Sequence, residues 1–272
     1  MTEKIKIITI IDLLFLFILG AAGSLENKVL SDIFYYLAFL IPIGMGLCYI
    51  FKKREPVHSA APISPNDFTL KKDEAILALP LIMPEIFAVL LISVATSTLM
   101  NLLGQNNTTS FNEPFGYAVL IHALIPAVLE ELLFRFIPIK LIGKGEEKTA
   151  IILSSLMFAF AHVSLFQIPY AFVAGIIFAS VYIATGSILP TVFMHFLNNL
   201  VSLMTIYGIG SSWLIPLCLV LLIISVLIII IRRKVYLNAL KTLTDSNNIK
   251  IGYPPILFAA LSLVLSISVF FV

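Results

Sequence analysis

Residues 122–140 read HALIPAVLEELLFRFIPIK, and set two adjacent glutamates, Glu130 and Glu131, and an arginine, Arg135, in an otherwise apolar run. A charged side chain at the centre of a bilayer costs on the order of 3 kcal/mol on insertion scales, and persists where it pairs, lines a polar cavity or does chemistry. The run is long enough to span a membrane and too polar for a passive span. Its surroundings decide which of these applies.

The flanking sequence is more apolar still. Of 272 residues, 60% are hydrophobic and only 12% charged, with a mean hydropathy of +1.07, where a soluble domain carries about 25% charge. Apolar runs of the length needed to cross a bilayer core, about 20 residues, recur at 5–23, 33–51, 77–103, 116–139, 150–168, 170–185, 188–207, 213–231 and 254–272. The fifth and sixth are the shortest. The fold class is therefore all-α: a polytopic membrane helical bundle of about eight to nine transmembrane helices, residues 1–272 forming one integral membrane domain. This composition excludes a soluble enzyme and offers nothing to nucleic acid. The lipid bilayer is the first partner.

The net charge of +2 carries little information, but its placement does. Basic residues cluster at the N-terminus (Lys4, Lys6) and in three loops: Lys52, Lys53, Arg54, Lys71 and Lys72; Lys140, Lys144 and Lys148; Arg232, Arg233, Lys234, Lys241 and Lys250. With nine spans all of these fall on one side, and only Lys28 falls in a loop on the other. By the positive-inside rule the N-terminus and these loops are cytoplasmic and the C-terminus lies outside, in a multi-pass protein of the cell membrane. Ala21, Ala22 and Gly23 mimic a signal-peptide cleavage site, but Asp12 within the run and eight further spans favour an uncleaved first helix. Cys48 and Cys218 lie in separate apolar runs and read as buried free thiols. Asn106–Asn107–Thr108 matches a glycosylation sequon, a motif common by chance. A short surface helix is expected through KVYLNALKTL at 234–243.

The remaining polar content is concentrated in four central spans, 116–204. Counting about 1.5 Å per residue from the cytoplasmic boundary puts Glu130 at roughly 15 Å, His162 at roughly 18 Å and His195 at roughly 12 Å. Three helices thus bring a carboxylate and two imidazoles to one depth, while His122 comes out some 12 Å further toward the outside and is set apart. Glu131 and Arg135 are spaced i,i+4 in the favourable acid-then-base order. Glu130 is rotated by about 100° from Glu131, so Glu131 is assigned to Arg135 and Glu130 to chemistry. Pro126, four residues before Glu130, removes a helical hydrogen bond and favours a local opening. His195 and Asn199 share one helix face, as do Phe158 and His162. Asp12 and Glu85 lack polar company and read as helix-packing or near-interface residues. A carboxylate and an imidazole sharing a water can raise its nucleophilicity, and a second imidazole with an amide can stabilise an oxyanion. Two histidines and a carboxylate (Glu130, His162, His195) equally make a Zn2+ triad with an open position. The spacing leaves both open.

At these residues the chain resembles the CPBP (Abi) family of intramembrane proteases, relatives of the type II CAAX prenyl endopeptidases. E-E-x-x-x-R matches Glu130, Glu131 and Arg135; F-x-x-x-H matches Phe158 and His162; H-x-x-x-N matches His195 and Asn199. Tyr182 and Thr185-Gly186-Ser187-Ile188 also resemble the family's approach to its third motif. The likeness covers a catalytic core at 116–204, with N-terminal spans at 1–115 and C-terminal spans at 208–272. It implies an endopeptidase acting on a peptide or membrane-protein substrate. Glu130 with His162 would activate water, and His195 with Asn199 would form the oxyanion hole. Glu131, Arg135 and Phe158 would support the site, with no cofactor or, alternatively, Zn2+. The alternatives are a non-catalytic bacteriocin-immunity or scaffold protein of the same fold, and a transporter using its carboxylates as proton relays. Against the transporter, no inverted repeat is visible.

Overall fold

The structure, a computed structural model, describes residues 2–52, 63–105, 111–210, 212–244, 249 and 251–270. The sequon at 106–108 and the basic residues Lys53, Arg54 and Lys250 lie outside them. Among the described residues every regular element is helical.

α1 (Thr2–Gly23) and α2 (Lys28–Lys52) form an N-terminal hairpin. A 3-10 turn, Pro65–Phe68, leads into α3 (Lys72–Ala78), which continues through a second 3-10 turn at Leu79–Leu81 into α4 (Ile82–Leu102). The next crossing, Phe115–Ile142, is not uniform. Three α segments, α5 (Phe115–Ala118), α6 (Ile125–Glu131) and α7 (Ile137–Ile142), are joined by π-helical turns at Val119–Leu124 and Leu132–Phe136. Each π turn ends two residues before a proline, Pro126 or Pro138. A proline ring clashes with the carbonyl four residues back and offers it no N–H, so the preceding turn widens. Such widened turns recur at functional sites, and these two bracket Glu130 and Glu131.

α8 (Glu147–Ala161), α9 (Ile168–Thr185) and α10 (Leu189–Ile206) follow, then α11 (Leu214–Ile231), α12 (Arg233–Thr244) and α13 (Tyr253–Phe270). Each of the nine apolar runs contains a helix, and α12 is the expected surface helix. Among the described residues seven helices are long and apolar enough to cross a membrane, which makes this a multi-pass membrane protein. Of the remaining apolar runs, that of α8 holds a helix too short to cross by itself. α8 has 15 residues, about 22 Å, against a hydrocarbon core of about 30 Å. Hydropathy does not mark its end, because the apolar run continues past it. The backbone does: Val163 has φ 48°, a left-handed conformation that is an outlier for a β-branched residue. α8 therefore stops inside the bundle, with His162 at its terminus.

Packing fixes α8 from two sides. Ser262 on α13 donates a hydrogen bond to the Phe160 carbonyl. On the other side Gly175 of α9 faces Ser155 so closely that an added Cβ would lie 3.0 Å from both Ser155 Cα and Cβ, the close approach that small residues permit between membrane helices. Gly175→Val is expected to lower stability by about 1–3 kcal/mol through overpacking. An unchanged melting temperature in detergent would mean that the two helices part freely.

The loop ends are also tied together. Lys4 Nζ donates to the Ile142 carbonyl at 3.0 Å, Lys140 pairs with Asp67 at 2.6 Å, and the Tyr236 hydroxyl reaches the Leu77 carbonyl at 3.2 Å. Asp67 in turn accepts from the Ser64 N–H, and its carbonyl accepts from the Ile188 N–H at 2.9 Å. These contacts gather the N-terminus and the basic loops at one end of the bundle. The tight turn into α10 is made by Gly186, whose φ of 71° ends α9 in the left-handed conformation that glycine adopts without strain.

Candidate active site

α6, α8 and α10 converge on a cavity of about 430 Å³ whose walls include Glu130, Phe158, His162, His195, Asn198 and Asn199. His195 is the centre of the arrangement. Its Nδ1 lies 2.9 Å from Glu131 Oε1, and the same oxygen is 3.2 Å from Arg135 Nη1. Glu131 and Arg135 are both fully buried. A carboxylate held against a guanidinium is ionised and only accepts, so His195 donates from Nδ1 and turns Nε2 outward. Nε2 then stands 3.6 Å from Glu130 Oε2. Glu130 keeps some access to the cavity while Glu131 has none.

His162 is fixed differently. Its Nδ1 lies 2.8 Å from the Phe158 carbonyl, four residues back along α8. A carbonyl only accepts, so the imidazole donates there and leaves Nε2 for the cavity. The Phe158 ring meets both imidazoles edge-on, at 4.8 Å from His162 and 5.6 Å from His195. The Arg135 guanidinium lies 3.7 Å from the centre of the same ring, a cation–π contact that adds to its ion pair. Phe178 of α9 stacks on His195 at 5.3 Å. Two phenyl rings and one ion pair thus hold the His195 plane.

The structure brings all four proposed catalytic residues, Glu130, His162, His195 and Asn199, to the wall of one cavity, with Glu131, Arg135 and Phe158 behind them. Two features lie beyond the motif reading. The imidazole within 4 Å of Glu130 is His195, while His162 shares the cavity. His122, set apart by depth, lines the same cavity and stacks on Phe111 at 4.2 Å, because the cavity extends along the crossing helix toward it. Tyr35, Gln167 and Ser202 are further polar lining residues that no spacing pattern marked. Among the described residues no three His, Cys, Asp or Glu side chains are gathered closely enough to hold a metal ion.

The segment that builds this site, residues 112–201, matches the family described as Type II CAAX prenyl endopeptidase Rce1-like. This matched segment is similar to that family. It contains all three motifs, from Glu130 to Asn199, and spans 90 of the 272 residues. No curated protein and no solved structure matches the chain. The match relates the chain to the CPBP and CAAX-type proteases and supports a protease-type function within the membrane.

Proposed function

We propose that this protein is an intramembrane endopeptidase that hydrolyses a peptide bond in a peptide or membrane-protein substrate. The observation that carries this reading is the convergence of Glu130, His162, His195 and Asn199 on one cavity, inside a segment of the matching family. Glu130 is the general base. It takes a proton from a water that His162 Nε2 helps to orient, and the water oxygen attacks the scissile carbonyl carbon. The Asn199 amide, with His195 Nε2 when protonated, donates to the resulting oxyanion, and Glu130 returns its proton to the departing amine as the C–N bond breaks. The Glu131 carboxylate and the Phe158 and Phe178 rings keep His195 in register. The basic end of the bundle faces the cytoplasm, the C-terminus lies outside, and substrate enters from the cytoplasmic side.

No step in this scheme uses a metal. Cleavage of a reporter peptide by purified protein is expected to be unchanged by a strong chelator. Loss of cleavage, restored by Zn2+, would overturn the glutamate–water assignment. Normal biological activity in both Glu130→Ala and His162→Ala, at normal expression, would instead favour a non-catalytic immunity or scaffold protein.

A further inference from the structure

Glu85 on α4 has no place in any of the three motifs, and it is fully buried. Neither carboxylate oxygen has a hydrogen-bond partner. It belongs to a helix face, Ile82, Ile86 and Val89, that packs against Phe178 and Met194. Phe178 stacks on His195, and its ring centre is 5.4 Å from the Arg135 guanidinium; Met194 is the residue before His195. Glu85 therefore enters the bundle behind the site, within electrostatic reach of both Glu131 and Arg135.

The deficits there are complementary. Arg135 Nε, Nη1 and Nη2 all lack a hydrogen-bond acceptor despite the ion pair with Glu131. A buried guanidinium with its N–H fork unmet and a buried carboxylate with both oxygens unmet each carry a desolvation penalty that pairing would relieve. The carboxylate and the guanidinium make no direct hydrogen bond, so one bridging water would join them, since a buried water satisfies just such groups.

We propose that Glu85 is a positioning residue: it is a further carboxylate for Arg135, on the side away from the cavity, and by sharing that guanidinium it sets how firmly Glu131 holds His195. The chain of action runs from Glu85 through Arg135 and Glu131 to the His195 Nδ1–H. Its activity arm rests on the endopeptidase reading; its pairing arm does not.

Two measurements test it on the full-length protein. Glu85→Gln keeps the shape and removes the charge. In the peptide-cleavage assay kcat is expected to fall about ten- to a hundredfold, the range that misplacement of a supported group produces, with KM within twofold. Glu85→Asp should recover part of the loss. An unchanged kcat in Glu85→Gln, or an equal fall in Glu85→Asp and Glu85→Gln, would overturn the positioning role. The second measurement is a melting-temperature cycle of Glu85→Gln, Arg135→Met and the double variant in detergent. Glu85→Gln should lower the melting temperature in the wild-type background and not in the Arg135→Met background. Additive shifts would overturn the pairing, whether or not any peptide is cleaved. If wild-type protein cleaves nothing while the cycle shows coupling, the endopeptidase reading fails and the Glu85–Arg135 pairing stands.

Discussion

Glu130→Gln is expected to abolish peptide cleavage while leaving the protein folded. A general base contributes about 10²- to 10⁴-fold, and the neutral amide cannot accept the proton of the attacking water. The change conserves volume at a side chain that lines the cavity and keeps some solvent access, so the melting temperature in detergent should stay within a few degrees of wild type. The companion His162→Ala should lose cleavage as well, because the imidazole that orients the water is gone. Its structural cost is small: its one hydrogen bond, to the Phe158 carbonyl, ends a helix turn that the backbone already closes. Retained kcat in Glu130→Gln at normal folding would remove Glu130 from the chemistry.

Arg135→Met has the largest expected effect on stability. It leaves Glu131 fully buried with no counter-charge, and breaking a buried pair by removing one partner costs about 3–5 kcal/mol. It also removes the guanidinium from the face of Phe158. The double replacement Glu131→Leu with Arg135→Met should recover most of that stability, since an apolar pair of similar volume replaces the ions. It should not recover cleavage, because the His195 Nδ1–H has lost its acceptor. Thermal unfolding and peptide cleavage of the three variants check both halves. A double variant that is both stable and active would show that the ion pair serves only packing.

Much of this was legible in the chain. The charge deficit and the recurring apolar runs give the helical bundle, and the i,i+4 spacing of Glu131 and Arg135 gives their pairing. Depth counting brings Glu130, His162 and His195 together because depth along a helix depends only on residue number. What a linear count cannot supply is rotation about each helix axis and the neighbour that results. Glu131 therefore serves His195 as well as Arg135, and His195 Nε2, 3.6 Å away, lies within 4 Å of Glu130. The π turns at Val119–Leu124 and Leu132–Phe136 have no signature beyond the prolines that follow them. The early end of α8 rests on the backbone at Val163, where hydropathy sees one continuous run. Glu85 looked solitary because Glu131 and Arg135, which lie within its electrostatic reach, are about fifty residues away in sequence, and only tertiary packing brings them near.

On the proposed reading this cavity hydrolyses peptide bonds with activated water. Its most direct test is mass spectrometry of reporter peptides incubated in H₂¹⁸O with the reconstituted wild-type protein and its Glu130→Gln variant, chelator present in both. Internal cleavage by the wild type is expected, with one ¹⁸O in each new carboxyl terminus, and intact peptide with the variant. Equal cleavage by both proteins, or intact peptide with both, would contradict it.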